Sequence, residues 1–267
     1  MSLAPLRPAL LVGLALALVV ACSTTPTGRT QLTLFPAAEI DAMGDASYAQ
    51  MKDETPVLAE GEVTAYVRCV ARPLLAQVSG DWEITVFHQD QVNAFALPGN
   101  NIGIYTGLLG VAENQHQLAA VIGHEIAHVL AEHANARMST AFATQAGLDL
   151  LGAVSGSSES FLGRQVMAAL GVGAQVGIIL PFTRGQETEA DLIGLEMMAD
   201  AGYDPREAVQ LWRNMAANAG GQQPPEFLST HPASDTRIRR LEEAMPGALE
   251  RYRRARDAGR RPECSLL

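Results

Sequence analysis

The sequence is short of aromatics, at 5%, and carries a single lysine, Lys52, against 18 arginines. So few rings leave a core to be built mostly from Ala, Leu, Val, Ile and Met, while the arginine excess reads as compositional bias. No repeat with a period of roughly 20–50 residues is visible, which excludes solenoids and propellers. Basic charge is also scarce. There are 19 Lys and Arg against 29 Asp and Glu, a net charge of −10. An acidic body argues against a nucleic-acid binder, because phosphate contacts need basic surface. What the chain does have is 267 residues at 48% hydrophobic, enough for one to two domains and a real core.

Arg7 is the only charge in residues 1–21, and Pro8 to Ala21 is an uncharged run of 14 residues. That falls short of the roughly 20 residues a bilayer span needs and suits the core of a signal peptide. The run ends at Val19-Val20-Ala21-Cys22, which resembles a bacterial lipobox. The resemblance implies a lipoprotein signal peptide over 1–21, acylation at Cys22 and membrane anchoring without a span. Ser23, a residue other than Asp after the cysteine, implies the periplasmic face of the outer membrane. Residues 22–35 are expected to be a polar, lipid-anchored tether, with the folded domain over 36–250 and a basic tail over 251–267. Beyond Cys22 the cysteines are Cys69 and Cys264; a disulfide between them and two free thiols are both compatible with the sequence. Residues 237–261 hold nine arginines against four acids, which suits either contact with anionic lipid or a solvated helix face.

Periodicity predicts helices near 36–54 and 62–79, where Val63, Tyr66, Val67, Val70 and Leu74 form one stripe. Alternation predicts strands over 82–88, 93–97 and 102–105, with a turn at Pro98-Gly99-Asn100-Asn101. Helices are then expected near 115–135, 138–153, 164–180, 185–201, 205–218 and 234–257. The Gly/Ser-rich segment 152–163 suits either a lid or a loop. The fold class is α+β and mostly helical, with a small β-sheet ahead of the helices.

Residues 124–128 read His-Glu-Ile-Ala-His within a long apolar helical segment. At about 100° per residue, His124 and His128 stand about 40° apart on one helix face. Two imidazoles one turn apart can grip one metal ion, and Glu125 beside them is placed for water at an open coordination position. Catalytic zinc usually takes three protein ligands. A third ligand on the same helix in an HExxHxxGxxH pattern would need Gly at 131 and His at 134, where the sequence has Ala131 and Ala134. His133 is about 180° from His124 on a continuous helix and is read as a surface residue. Downstream, residues 184–191 read Arg-Gly-Gln-Glu-Thr-Glu-Ala-Asp. Glu187 and Asp191 share a face, whereas Glu189 is about 200° away and points elsewhere. Packed against the first helix, this one supplies Glu187 as third ligand and leaves Asp191 to accept a ligand histidine's other ring N–H. Arg184 is placed to steady the Glu187 carboxylate or an intermediate.

The HEIAH and RGQETEAD motifs, together with His231-Pro232 through Arg237-Ile238, Asn93-Ala94-Phe95-Ala96-Leu97-Pro98-Gly99 and Ile104 to Leu109, resemble the HtpX and CAAX-prenyl-protease family of zinc metallopeptidases. The resemblance spans roughly 60–245 and is nearest to short secreted lipoprotein members, Oma-type and periplasmic LoiP- and BepA-type peptidases. It implies a gluzincin domain holding one Zn2+ on His124, His128 and Glu187, with Glu125 as acid/base and Asp191 in a supporting or proton-donating role. It also brings His231 to the active site, to stabilise an oxyanion or to occupy the fourth zinc position, with Arg237 nearby. Asn93, Ala94, Phe95 and Ala96 are candidates for pairing with an extended substrate. The function implied is endoproteolysis of misfolded or unassembled envelope proteins, with the membrane met through Cys22. The competing reading is a lipoprotein chaperone or assembly factor with a latent zinc site.

Overall fold

The computed structural model describes residues 22–155, 182–218, 227–232 and 235–266. The signal segment 1–21, the expected helix at 164–180 and all but 152–155 of the expected lid lie outside the described residues. The chain enters as a hairpin of β1 (Cys22–Thr24) and β2 (Thr30–Leu32), paired Cys22↔Leu32 to Thr24↔Thr30. The stretch read as a tether is therefore docked on the domain, held by side-chain bonds described below.

Helices α1 (Ala37–Glu54) and α2 (Glu62–Leu75) follow, the second with Tyr66, Val67, Val70 and Leu74 buried as its stripe requires. Next come β3 (Glu83–Phe87), β4 (Ala94–Leu97) and β5 (Asn101–Tyr105), in the spatial order β3-β5-β4. β3 runs parallel to β5, from Glu83↔Asn101 to Phe87↔Tyr105, and β4 antiparallel to it, from Ala94↔Ile104 to Leu97↔Asn101. The turn between β4 and β5 puts Gly99 (φ 84°) and Asn100 (φ 65°) in the left-handed region, which Gly and Asn occupy at least cost. Among the described residues β4 pairs only with β5, so it is an edge strand.

After a 3-10 turn (Thr106–Gly110), α3 (Gln115–Leu130) runs through the centre of the molecule, with 12 of its 16 residues buried. Asn114 caps it, its side-chain oxygen accepting from His116 N–H at 2.9 Å and Gln117 N–H at 3.0 Å. α4 (His133–Ser155) begins after a sharp break, not at 138 as expected. Glu132 takes φ 51° and closes the turn by donating its N–H to Val129 O at 2.9 Å. Two good helix formers, Ala131 and Glu132, hide that break from any propensity reading.

α5 (Arg184–Asp200) starts with a reciprocal Thr183–Gln186 capping box and packs directly on α3. The crossing is at Gly123 and Gly194, where a Cβ on Gly194 would stand 2.8 Å from the His124 backbone nitrogen. Two glycines let the helix backbones touch, and that closeness sets where their side chains meet. α6 (Arg206–Asn218), α7 (Phe227–Thr230) and α8 (Asp235–Asp257) complete the shell. α8 runs unbroken through residue 250, so the expected boundary between domain and tail falls inside a helix. Arg240, Arg251 and Arg254 pair with acids on its surface, Arg251 with Asp200 at 2.7 Å and Glu196 at 2.9 Å. A Cys69–Cys264 disulfide, with Cα atoms 5.9 Å apart, fastens the end of the chain to α2. No helix among the described residues is long and apolar enough to cross a membrane.

Candidate functional site

The α3–α5 contact brings His124, His128, Glu187 and His231 into one buried cluster whose ligand atoms lie within 4.8 Å of one another. His124 Nε2 and His128 Nε2 are 3.0 Å apart. Glu187 Oε1 stands 3.4 Å from His128 Nε2, and Glu187 Oε2 stands 3.7 Å from His124 Nε2. His231 Nδ1 is 3.0 Å from Glu187 Oε1 and 3.2 Å from His124 Nε2, and its Nε2 is 3.5 Å from Glu125 Oε1.

Each side chain is fixed from behind. His231 follows α7, its N–H donating to Phe227 O at 2.8 Å, and its ring stacks between Phe227 (4.4 Å) and Phe182 (4.9 Å). Phe182 also stacks on His128 at 3.7 Å, under the guanidinium of Arg137. His124 Nδ1 faces Asp191 Oδ1 at 3.0 Å. Arg237 grips both oxygens of Asp191, at 2.6 Å each, contacts Glu187 Oε2 and lies 3.6 Å over the Trp212 ring.

Burial pushes the Asp191 and Glu187 carboxyls up, yet the charges of His231 and Arg237 with bonds from His128 and His231 hold Glu187 well below the ordinary range, and the charge and bonds of Arg237, then of His124, hold Asp191 below it. Burial holds His128 well below its ordinary value despite the pull of Glu187. His128 is thus held neutral and Glu187 ionised, the states a divalent cation needs of them, while burial pushes His124 down but Asp191 and Glu187 hold it above its ordinary value.

Asp191 sits behind His124, with Arg237 on both of its oxygens. Arg184 is exposed in the first turn of α5, outside the helix face that packs inward. The arginine on Glu187 is Arg237, from α8. Asn93 and Ala94 to Ala96 follow the edge strand, and Ala96 lines an apolar cleft with Ile40, Pro98, Asn135, His128 and Phe182.

Two residues read as lying elsewhere also join the site. His133 is fully buried, its Nδ1 2.8 Å from His128 Nδ1, because the Glu132 break turns α4 back toward α3. Glu189 is buried 3.2 Å from His133 Nε2. Burial pushes the His133 imidazole down to about 4; burial pushes Glu189 up, but bonds from Thr25, Thr27, Arg29 and His133 bring it to about 2. A histidine nine residues past His124 becomes readable as a site residue only once the helix is known to end at Leu130.

The fit to a metal is testable on the donor set. Buried Glu125 Oε1 has no hydrogen-bond donor among the described residues. Two imidazole Nε2 atoms and a carboxylate converge at contact distance, an arrangement that is costly without a cation between them. Two or three imidazoles with one carboxylate is a donor set zinc accepts.

Residues 58–245 match the model of peptidase family M48. The chain is 37% identical over 197 residues to the mitochondrial metalloendopeptidase OMA1 of Schizosaccharomyces pombe, covering 69% of this chain and 54% of that protein. It is 33% identical over 205 residues to the beta-barrel assembly-enhancing protease of Yersinia pestis, covering 74% and 42%, and 30% identical over 204 residues to that of Escherichia coli, covering 73% and 42%. The chain thus spans about half the length of these relatives. The family match covers the helix pair, the buried cluster and the strands beside it, and the chain belongs to peptidase family M48.

Proposed function

We propose that the chain is a zinc-dependent metalloendopeptidase that cleaves misfolded or unassembled cell-envelope proteins while lipid-anchored at Cys22 on the periplasmic face of the outer membrane. One observation carries the catalytic part: His124, His128 and Glu187 converge from two helices with His231, and buried Glu125 stands beside them, 3.5 Å from His231. His124, His128 and Glu187 hold the ion. When bound, zinc supplies Lewis acidity toward the scissile carbonyl and makes water a nucleophile near neutral pH. Glu125 Oε1, buried without a donor among the described residues, takes the proton of the attacking water and returns it to the leaving amine. Asp191, fixed by Arg237, orients His124. His231, at contact distance from Glu187 and Glu125, would add a fourth donor to the ion in the resting enzyme or stabilise the oxyanion, and we propose the first role. The edge of β4 offers backbone groups to an extended peptide, which demands little of its sequence.

The envelope assignment draws on different support. Two relatives are named for enhancing β-barrel assembly, the Val19–Cys22 motif suits acylation, and Cys22 is exposed.

The test is zinc content and digestion of a loosely folded protein by the purified chain. Glu125→Gln should lose about 10²–10⁴-fold in turnover and keep its zinc. Parental digestion by that variant would refute the assignment.

A further inference from the structure

The hairpin at the start of the described chain ends on a buried carboxylate. Thr25 and Thr27 hydroxyls both donate to Glu189 Oε1, and Arg29 Nε donates to Glu189 Oε2 at 2.6 Å. The same Oε2 faces His133 Nε2 at 3.2 Å, and His133 Nδ1 faces His128 Nδ1 at 2.8 Å. Gln31 Nε2 donates to Ala131 O at 2.6 Å, so the hairpin also grips the α3–α4 break that aims His133.

The chemistry of this chain of contacts has one direction. A carboxylate only accepts, so His133 presents its N–H at Nε2 and a lone pair at Nδ1. That lone pair accepts the Nδ1–H of His128, which leaves the His128 Nε2 lone pair facing His124 and Glu187. His124 is backed by its own carboxylate–guanidinium pair, Asp191 and Arg237. The two histidines are thus oriented by separate supports, one from α8 and one from the hairpin. The Arg29–Glu189 pair is half-buried, with the arginine side chain 35% exposed, and such a pair contributes little to stability, so its alignment with His128 is the feature to explain.

We propose that Thr25, Thr27, Arg29, Glu189 and His133 form a positioning relay that fixes the tautomer and orientation of His128, making the β1–β2 hairpin part of the metal site. This rests on the metal reading above. Loss of such supports typically lowers metal affinity about 10–100-fold.

The test uses the full chain, with zinc affinity measured by chelator competition and the visible spectrum of the cobalt form as a second readout. Glu189→Ala, and separately the hairpin triple Thr25→Ala, Thr27→Ala, Arg29→Ala, should weaken zinc binding by about 10–100-fold and shift the cobalt bands. Glu189→Gln, which retains an oxygen to accept from His133, should stay near the parent. Should Glu189→Ala fail to fold, the triple variant carries the test, because its side chains come from the hairpin alone. Parental affinity and an unshifted cobalt spectrum in the folded variants overturn the relay, even if their melting temperatures fall. A parent chain that binds no zinc overturns the relay together with the metal site itself.

Discussion

Gly194→Ala probes the contact that assembles the site. The added Cβ would lie 2.8 Å from His124 N, 2.9 Å from Gly123 C and 3.1 Å from His124 Cα. Ordinary contact begins near 3.4 Å, so the shortfall at His124 N is about 0.6 Å (3.4 − 2.8). All three atoms are backbone, and no side-chain rotation relieves the clash, so α5 must move away from α3. Glu187 is on that same helix, two turns toward its start, and metal–ligand distances tolerate only about 0.2 Å. Overpacking of this kind costs about 1–3 kcal/mol. At about 2–4 °C per kcal/mol for a chain of this size, the melting temperature should fall by about 2–12 °C. If zinc must draw the helices back together, the same energy weakens binding about 5- to 150-fold. Gly147→Ala is the control. It lies exposed in α4 with nothing among the described residues within 4 Å of a Cβ, and should be neutral or stabilising by about 0.5–1 kcal/mol. Calorimetry and chelator competition read both effects. A Gly194→Ala protein that matches Gly147→Ala in melting and zinc affinity would show that the close helix crossing does not set the site.

Other consequences follow from the same geometry. His231→Ala should raise peptidase activity, because it frees the position that His231 holds beside Glu187 and Glu125; a fall in activity toward a loosely folded substrate would assign His231 to transition-state stabilisation instead. Cys69→Ser opens a cross-link between residues 195 apart in sequence and should cost about 2–5 kcal/mol in chemical denaturation, with no loss contradicting a native disulfide. Burial holds His116 below its ordinary value, and its Nδ1 accepts the Asp204 N–H at 3.2 Å. As pH falls below about 6.5 the unfolded chain takes up a proton that the folded chain resists, so stability falls toward acid. His116→Asn should flatten that slope between about pH 7 and pH 5, and an unchanged slope would remove His116 from the account.

Much of this arrangement is legible in the sequence because it rests on spacing within single helices. His124 and His128 one turn apart, and Glu187 and Asp191 one turn apart, survive any reasonable placement of the helix ends. The strands over 83–87, 94–97 and 101–105 are legible from alternation and from the Pro98–Asn101 turn. What escapes is non-local. The β1–β2 hairpin is three residues per strand and polar, so its composition matches a tether, and it is held by a carboxylate some 160 residues away. His133 is misread because helical-wheel angles presume a continuous α3, and a single positive φ at Glu132 cancels that premise. Glu189 does point away from Glu187 on α5, and what composition does not reveal is that the hairpin and His133 cover that other face. Arg184 and Arg237 differ in the same way. Proximity in sequence favours the first, while the packing of α8 against α5 delivers the second.

X-ray absorption spectroscopy of the zinc-loaded chain reports whether one divalent ion is held jointly by α3 and α5. One zinc per chain with nitrogen and oxygen neighbours, imidazole outer-shell scattering from at least two histidines, and loss of the ion in Glu187→Ala are expected. Sulfur neighbours, or zinc retained with the same spectrum in Glu187→Ala, would contradict joint holding by the two helices.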